Sequence, residues 1–148
     1  MAEAAAIALR MQILALAEAA LVAAAPEAFF ELEPATEPSA CPALGLQDGG
    51  HRVIDRDFAS TRYEMTLTVY GDVERDDGQA PVAERIDLHA RATRAMMLLD
   101  QMGGLIELIE DADLRMMTAI GADRRRLSFA QDFTLQFSAS RTDPALPA

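Results

Sequence analysis

The sequence predicts a single α+β domain, with a mainly antiparallel β-sheet packed on one face by two main α-helices. Residues 127–139 and 62–70 each alternate between apolar and polar side chains, which is typical of strands that bury only one face. Residues 3–24 and 81–102 carry apolar side chains at helical spacing. A chain of 148 residues can bury about 70% of its unfolded surface in one core.

The closing stretch 127–139 has the clearest pattern. Its odd positions are apolar and include Phe129, Phe133 and Phe137, with Gln131 as the one clear break. Its even positions are mostly polar, namely Ser128, Ala130, Asp132, Thr134, Gln136 and Ser138. We therefore expect an aromatic core face and a polar face that meets either water or another polar surface.

The alanine-rich N-terminal segment predicts a first helix over residues 3–24 because it consists of strong helix formers. Leu14, Leu21 and Val22 are its predicted core stripe, and Pro26 ends it.

This apolar segment does not read as a signal peptide or a membrane span. Glu3 precedes any positive charge, and Arg10 and Glu18 interrupt the apolar run. A packed helix and synthesis in the cytoplasm are expected, with no membrane partner.

Two short strands are predicted before the strand 62–70. Residues 29–33 alternate, residues 34–42 contain three prolines and predict a loop, and residues 43–47 predict the second short strand.

Residues 48–60 are predicted as a turn followed by an excursion, and two interpretations are open. The segment is either a protruding loop arm that contacts a partner or a plain hairpin loop. Its candidate interface residues mix apolar and charged side chains, namely Arg52, Val53, Ile54, Asp55, Arg56, Asp57 and Phe58. Deletion of residues 51–58 is expected to spare the fold and abolish assembly, because they lie outside both clear strands.

The second half of the chain begins with an acidic connection at residues 71–80. A second helix over residues 81–102 is stopped by Gly103 and Gly104 in the manner of a helix C-cap. Residues 105–110 predict a short helix.

The chain is predicted to end in a hairpin and a tail. Residues 114–121 pair with the closing strand across the turn 122–126, and residues 141–148 form a flexible tail. The methionine pairs at 96–97 and 116–117 are expected to fill the core rather than to contact a partner.

The formal charge of −11 counts against a protein that grips nucleic acid. All 13 basic residues are arginine, and lysine and asparagine are both absent, which indicates a GC-rich bacterial or phage genome. Arg124, Arg125 and Arg126 form the one basic cluster, as a solvated turn or as a partner contact. An acidic protein can still surround DNA, because like charge keeps the polymer from sticking.

No pattern of a catalytic, cofactor-binding or metal-ligating site is present, so the chain is not expected to be an enzyme. Cys41 is the single cysteine, and His51 and His89 have no predicted nucleophile or metal partner. His89 is expected to be a packed histidine. The acidic segment 71–80 lacks the spacing of a calcium loop.

The order and texture of the segments resemble the tail terminator, or tail completion, proteins of long-tailed phages and of the phage-derived gene transfer agents of alphaproteobacteria. The likeness rests on the Ala/Leu-rich opening helix, the run 63–70 (YEMTLTVY) and the arginine-bearing second helix. It continues with the run 103–110 (GGLIELIE) and the closing strand leading into residues 141–144 (RTDP).

The resemblance implies a structural virion protein at the head–tail junction of a phage or gene transfer agent particle. It implies a homo-oligomer, expected to be a hexameric ring, that caps the tail tube protein, stops its polymerisation and meets the head connector or stopper protein. DNA passes through the ring without specific binding. Another head–tail connector, a minor tail protein, a small ligand-binding or regulatory module, and an enzyme with an unrevealed site remain alternatives.

Overall fold

The computed structural model describes residues 2–35, 37–77, 79–120, 124–143 and 146–147, without the side chains of residues 2–8 and 120. A 3₁₀ turn, Leu99–Gln101, follows the second helix. The elements in chain order are α1 (Ala2–Ala24), β1 (Phe29–Leu32), β2 (Ala43–Arg56), β3 (Ser60–Arg75), α2 (Val82–Met97), β4 (Leu108–Ile120) and β5 (Arg125–Ser140).

The five strands form one sheet in the order β1-β2-β3-β5-β4. β1 runs parallel to β2, and the other neighbouring strands are antiparallel. β3 and β5 are the central pair, joined along their whole length from Ser60–Ser140 to Arg75–Arg125. The predicted α+β class is confirmed.

Both helices pack on the same side of the sheet, which we call the covered face. The register pairs Met65 with Leu135 and Leu67 with Phe133, so the odd-numbered side chains of both central strands lie together. These residues share one core with side chains of the two helices, namely Leu9, Ile13, Ala17, Leu21, Leu88, Ala92 and Met96.

One close approach in this core requires glycine. A Cβ added at Gly71 would lie 2.0 Å from the Phe129 ring, which the register places directly opposite. The absence of a side chain on β3 therefore makes room for the aromatic ring on β5.

The first helix is confirmed, but the predicted core stripe is rotated. Leu21 is fully buried, whereas Leu14 is half-buried and Val22 is 44% exposed. The helix packs through residues four apart, from Leu9 to Leu21. An alanine-rich helix has apolar side chains on most of its circumference, so its sequence pattern does not specify which side packs.

The strand predicted at residues 43–47 is confirmed, but the turn and excursion predicted after it are wrong, because β2 continues to Arg56 as one strand of 14 residues. Register shifts between Asp48 and His51 and between Val53 and Asp55 place bulges in it. Gly50 has a φ of +88°, a conformation that glycine adopts without strain. The Asp-Gly-Gly sequence therefore marks a bulge within a strand.

The predicted short helix at residues 105–110 is also wrong, because β4 begins at Leu108. Ile109 lies opposite Leu135 of β5 and is buried in the core. The apolar spacing of residues 105–110 is compatible with a helix or with a partly buried strand. Pairing with β5 favours the strand from Leu108 onward.

Three boundaries differ from those predicted. β3 continues to Arg75, so the acidic segment 71–80 begins inside the sheet. α2 ends at Met97 and is followed by the 3₁₀ turn, before Gly103 and Gly104, both with φ of +69°. Gly78 and residues 121–123, where parts of the acidic connection and the hairpin turn were predicted, lie outside the described residues.

The break at Gln131 has a structural role in the core. Its Nε2 donates to the carbonyl oxygens of Ala112 (3.0 Å) and Asp113 (3.3 Å), where the β4 register shifts. Its Oε1 lies 3.0 Å from Nε2 of His89. His89 also contacts the edge of Phe129, so its prediction as a packed histidine is confirmed.

Candidate interaction surface

The first candidate surface is the end of the β2–β3 hairpin, residues 51–59, which we call the ribbon tip. All of these residues are exposed. Phe58 is 90% exposed, and Val53 and Ile54 are also exposed. The ribbon tip therefore presents apolar side chains to solvent from a hydrogen-bonded scaffold.

The turn that carries Phe58 is held by Asp57. The carboxylate oxygen Oδ1 of Asp57 accepts hydrogen bonds from the backbone amides of Ala59 and Ser60, both at 2.7 Å. These bonds lower the pKa of Asp57. Arg141 donates from its backbone amide to the backbone carbonyl oxygen of Ala59 (3.1 Å) and from Nη1 to the backbone carbonyl oxygen of Asp57 (3.1 Å). The aromatic side chain thus projects from a fixed turn.

The predicted flexible tail contributes to this support. Besides Arg141, the backbone amide of Ser140 donates to the Leu146 oxygen at 2.8 Å, and Pro147 forms a bridge to Ala139. Residues 144, 145 and 148 of the predicted tail lie outside the described residues.

The base of the ribbon tip packs on the covered face. The His51 ring lies 4.4 Å from that of Tyr63, which stacks on Phe137 at 5.4 Å between centroids. Arg10 of α1 contacts both His51 and Asp48. Burial, followed by the charge of Arg10, lowers the pKa of His51. The premise that residues 51–58 lie outside the strands is wrong, because residues 51–56 belong to β2. Deletion of residues 51–58 would therefore remove part of β2 together with these contacts.

The charged residues of the ribbon tip have distinct placements. Arg52 pairs with Glu64 across the strands at 3.0 Å, on the side of the sheet opposite the helices. Asp55 accepts a hydrogen bond from the backbone amide of Arg56. The structure brings the whole predicted set 52–58 together along one hairpin end.

The second candidate, the cluster Arg124 to Arg126, lies at the opposite end of the sheet and is largely paired. Arg124 contacts Glu74 (3.2 Å) and Asp76 (3.4 Å). Arg126, 17% exposed, contacts Glu74 (3.0 Å) and Glu37 (3.2 Å). Arg125 is exposed at the start of β5. The cluster therefore neutralises neighbouring carboxylates through Arg124 and Arg126.

The third surface is the side of the sheet opposite the helices, which we call the open face. It carries the even-numbered side chains of β3 and β5. Within the described ranges no helix lies on this side, and Pro34 approaches one corner near Gly45. The open face is therefore a broad polar surface over the central strands.

Cross-strand hydrogen bonds cover this face. Thr68 donates to Asp132 Oδ1 at 2.7 Å, and Arg115 donates to both carboxylate oxygens of Asp132, at 2.8 and 3.1 Å. Ser128 donates to Asp72 at 2.5 Å. The Arg115 contact lowers the pKa of Asp132, whereas burial raises that of Asp72.

A groove of about 310 Å³ lies where residues 34–35 and 37–38 meet the open face. Tyr70 and Asp72 form part of its polar wall, and Phe29 and Pro34 part of its apolar wall. The Tyr70 hydroxyl donates to Gln47 at 2.5 Å. Such a groove can accept a small ligand or a peptide side chain.

The edge strand β4 presents apolar side chains that the sequence analysis placed in the core. Met96 is buried as predicted, but Met116 and Met117 are exposed, as is Leu114. β4 is an edge strand with a neighbour on one side only, so its apolar side chains are not covered by a second strand. The charged residues between these apolar residues in the sequence indicated an exposed strand.

The described residues contain no group of three or more His, Cys, Asp and Glu side chains able to hold a metal ion. Over the same residues, no helix has the length and apolar character needed to cross a membrane.

No protein-family model matches the chain. No curated protein matches it either. One similar solved chain belongs to a structure described as the virion of a native gene transfer agent (GTA) particle. It is 17% identical with a TM-score of 0.40, and the alignment covers 88% of this chain and 93% of that chain. A likeness at this level does not decide the role of this chain.

Proposed function

We propose that this protein is a structural virion component that forms a ring, expected to be a hexamer, at the end of a phage or gene transfer agent tail tube. In this role it stops polymerisation of the tube and joins the tube to the head connector. It acts as a scaffold and not as an enzyme. Synthesis takes place in the host cytoplasm, and the ring is part of the assembled particle.

The observation that carries the proposal is the open face. The side chains of this polar surface are already organised by cross-strand hydrogen bonds, and a subunit of a ring can present such a surface to its neighbours and to the lumen. The Asp132 and Asp72 networks hold those side chains in place before any partner arrives. Cyclic rings use two different patches of each subunit, and the open face and the ribbon tip are two such patches.

The charge supports passage of DNA rather than its retention. The formal charge of −11 gives an acidic subunit, and the arginines at 124 and 126 are paired with carboxylates. An acidic channel repels the phosphate backbone and lets DNA slide. The ribbon tip, with exposed Phe58, supplies the contact to tube or neighbour.

Mass measurement and particle imaging test the proposal. The purified protein is mixed with tail tubes of its own particle, and its mass and position are determined. Rings bound at tube ends, between tube and connector, are the expected result. A protein that remains monomeric with tubes present, or that binds along the tube walls, contradicts the role.

The groove at Tyr70 and Asp72 favours a second candidate, a small ligand-binding or regulatory module. This role predicts that Tyr70→Phe and Asp72→Asn abolish binding of a small molecule while self-association is unchanged. Screening by thermal stabilisation of the wild-type chain and both variants distinguishes it from the ring.

A further inference from the structure

A groove on the outer side of α1 is an apolar feature that the domain itself leaves unfilled. It has a volume of about 410 Å³ and lies between α1 and the segment before β4. Its walls contain no charged side chain and are formed by Gln12, Ala15, Leu16, Ala19, Gly103 and Leu105. An apolar group that enters it loses water without leaving a charge unpaired.

Phe58 is the matching apolar group on the same chain. It is 90% exposed, and Asp57 and Arg141 hold its turn through the bonds described above. A turn whose backbone is already held in place loses little further backbone freedom when its side chain binds. Aromatic side chains in apolar pockets are the usual anchors of protein interfaces.

Charge distinguishes this groove from two others formed by the described residues. The groove beside Tyr70 is also lined by Glu31, Glu37 and Asp72, and burial of a phenyl ring there would remove water from carboxylates. The groove between Val73 and α2 is lined by Glu27, Glu84, Asp87 and Arg91. The α1 groove accepts the ring without that cost.

We infer that Phe58 of one copy occupies the α1 groove of a neighbouring copy. Each chain carries both the inserted side chain and the receiving groove, so no second protein is required. This inference rests on the proposed function, which requires self-association, and it identifies one contact between the copies.

Substitutions on both halves test the contact by sedimentation equilibrium. Phe58→Ser and Ala15→Glu are each expected to raise the dissociation constant of self-association on the order of 30-fold, the effect of losing an interface anchor. Both residues are exposed, so circular dichroism should be unchanged. Met117→Ser, an exposed apolar residue on β4, is the control and should have no effect.

A disulfide experiment reports the contact directly. In a Cys41→Ser background, chains with Phe58→Cys are mixed with chains carrying Ala15→Cys and oxidised. A covalent dimer between the two chains is expected. The matched control replaces Ala15→Cys with Glu18→Cys, an exposed position of α1 outside the groove, and should give far less dimer.

The outcomes separate the contact from the role. Equal cross-linking at positions 15 and 18, unaltered self-association of Phe58→Ser, or a chain that stays monomeric at its highest soluble concentration each overturns the contact. A specific cross-link between positions 15 and 58 in an oligomer that does not bind tube ends supports the contact and counts against the tail terminator role. Rings of Phe58→Ser that bind tube ends normally support the tail terminator role and count against the contact.

Discussion

The two faces of β5 show how one strand serves two different purposes. Its odd-numbered side chains, among them Phe133, are buried under the helices with the apolar residues of β3. Its even-numbered side chains, such as Asp132 and Arg126, form ion pairs and hydrogen bonds on the open face. Odd-numbered residues of β5 therefore contribute to the core, and even-numbered residues of the same strand form the polar surface.

The two faces of β5 contribute differently to the stability of the domain. Full burial of a phenylalanine side chain contributes about 1.5–3 kcal/mol to folding. A solvent-exposed ion pair contributes about 0–1 kcal/mol. The covered face contributes most of the stability, and residues of the open face can change for function at a smaller cost, which is largest where a charge is paired with a mostly buried partner.

The largest effect is expected from neighbouring substitutions on the two faces. Phe133→Ala should lower the free energy of unfolding by about 3–5 kcal/mol, because it leaves a cavity under the helices. Thr134→Ala, the next residue on the open face, should change it by less than about 0.5 kcal/mol. Urea denaturation measures both, and similar losses for the two would break the distinction between the faces.

Gln131 tests a polar residue on the covered face. Gln131→Leu should lower the free energy of unfolding by about 1–3 kcal/mol, because it leaves the β4 carbonyls and His89 without their partner. Gln136→Leu on the open face is the control and should be nearly neutral. If Gln131→Leu is stabilising, the hydrogen bonds at the β4 register shift contribute nothing to the fold.

The arginine cluster tests how much a paired charge contributes on the open side. Arg126→Ser should lower the free energy of unfolding by about 1–2 kcal/mol, since it removes the charged hydrogen bonds to mostly buried Glu74. Arg125→Ser should leave it unchanged. Equal effects would show that pairing with Glu74 does not distinguish the two arginines.

The smallest effect concerns the two open-face aspartates, whose pKa values are shifted in opposite directions. The lowered pKa of Asp132 means that its ionised form adds stability above about pH 4, and that this is lost as the pH falls through the folded-state pKa. The raised pKa of Asp72 means that its ionisation lowers stability as the pH rises through the interval between its unfolded and folded pKa values.

Asparagine substitutions measured across pH separate these contributions. At pH 7, Asp132→Asn should destabilise by up to about 1 kcal/mol, and the loss should vanish in acid below the folded pKa of Asp132. Asp72→Asn should be slightly stabilising at pH 7, because a neutral side chain avoids the cost of burying charge. The same sign for both variants at pH 7 would contradict the opposite pKa shifts.

Much of the fold could be predicted from particular residues. The alternation at 127–139 and 62–70 located the two central strands and their faces, and helical spacing located α1 and α2. The errors lie where pairing decides: residues 105–110 became loop and the start of β4, and residues 48–56 became a bulged strand. Short segments of mixed pattern take the state of the strand beside them.

The residues of the ribbon tip were predicted from the sequence, but their arrangement in space was not. The sequence drew attention to the segment 52–58 because it mixes apolar and charged side chains, and the structure places these residues on a paired ribbon whose turn projects Phe58. The α1 groove could not be found, because its lining comes from two segments about 85 residues apart in the chain.

The sequence by itself determined which side chains of each central strand point to the core, because alternation is a local property of an extended backbone. It also determined the acidic charge and the absence of recognisable catalytic motifs. The tertiary structure decided which side of α1 is buried and that Gln131 donates a hydrogen bond to a β4 carbonyl. It also decided that Arg124 and Arg126 form ion pairs with Glu74. These depend on groups distant in sequence, which only packing and strand register bring together.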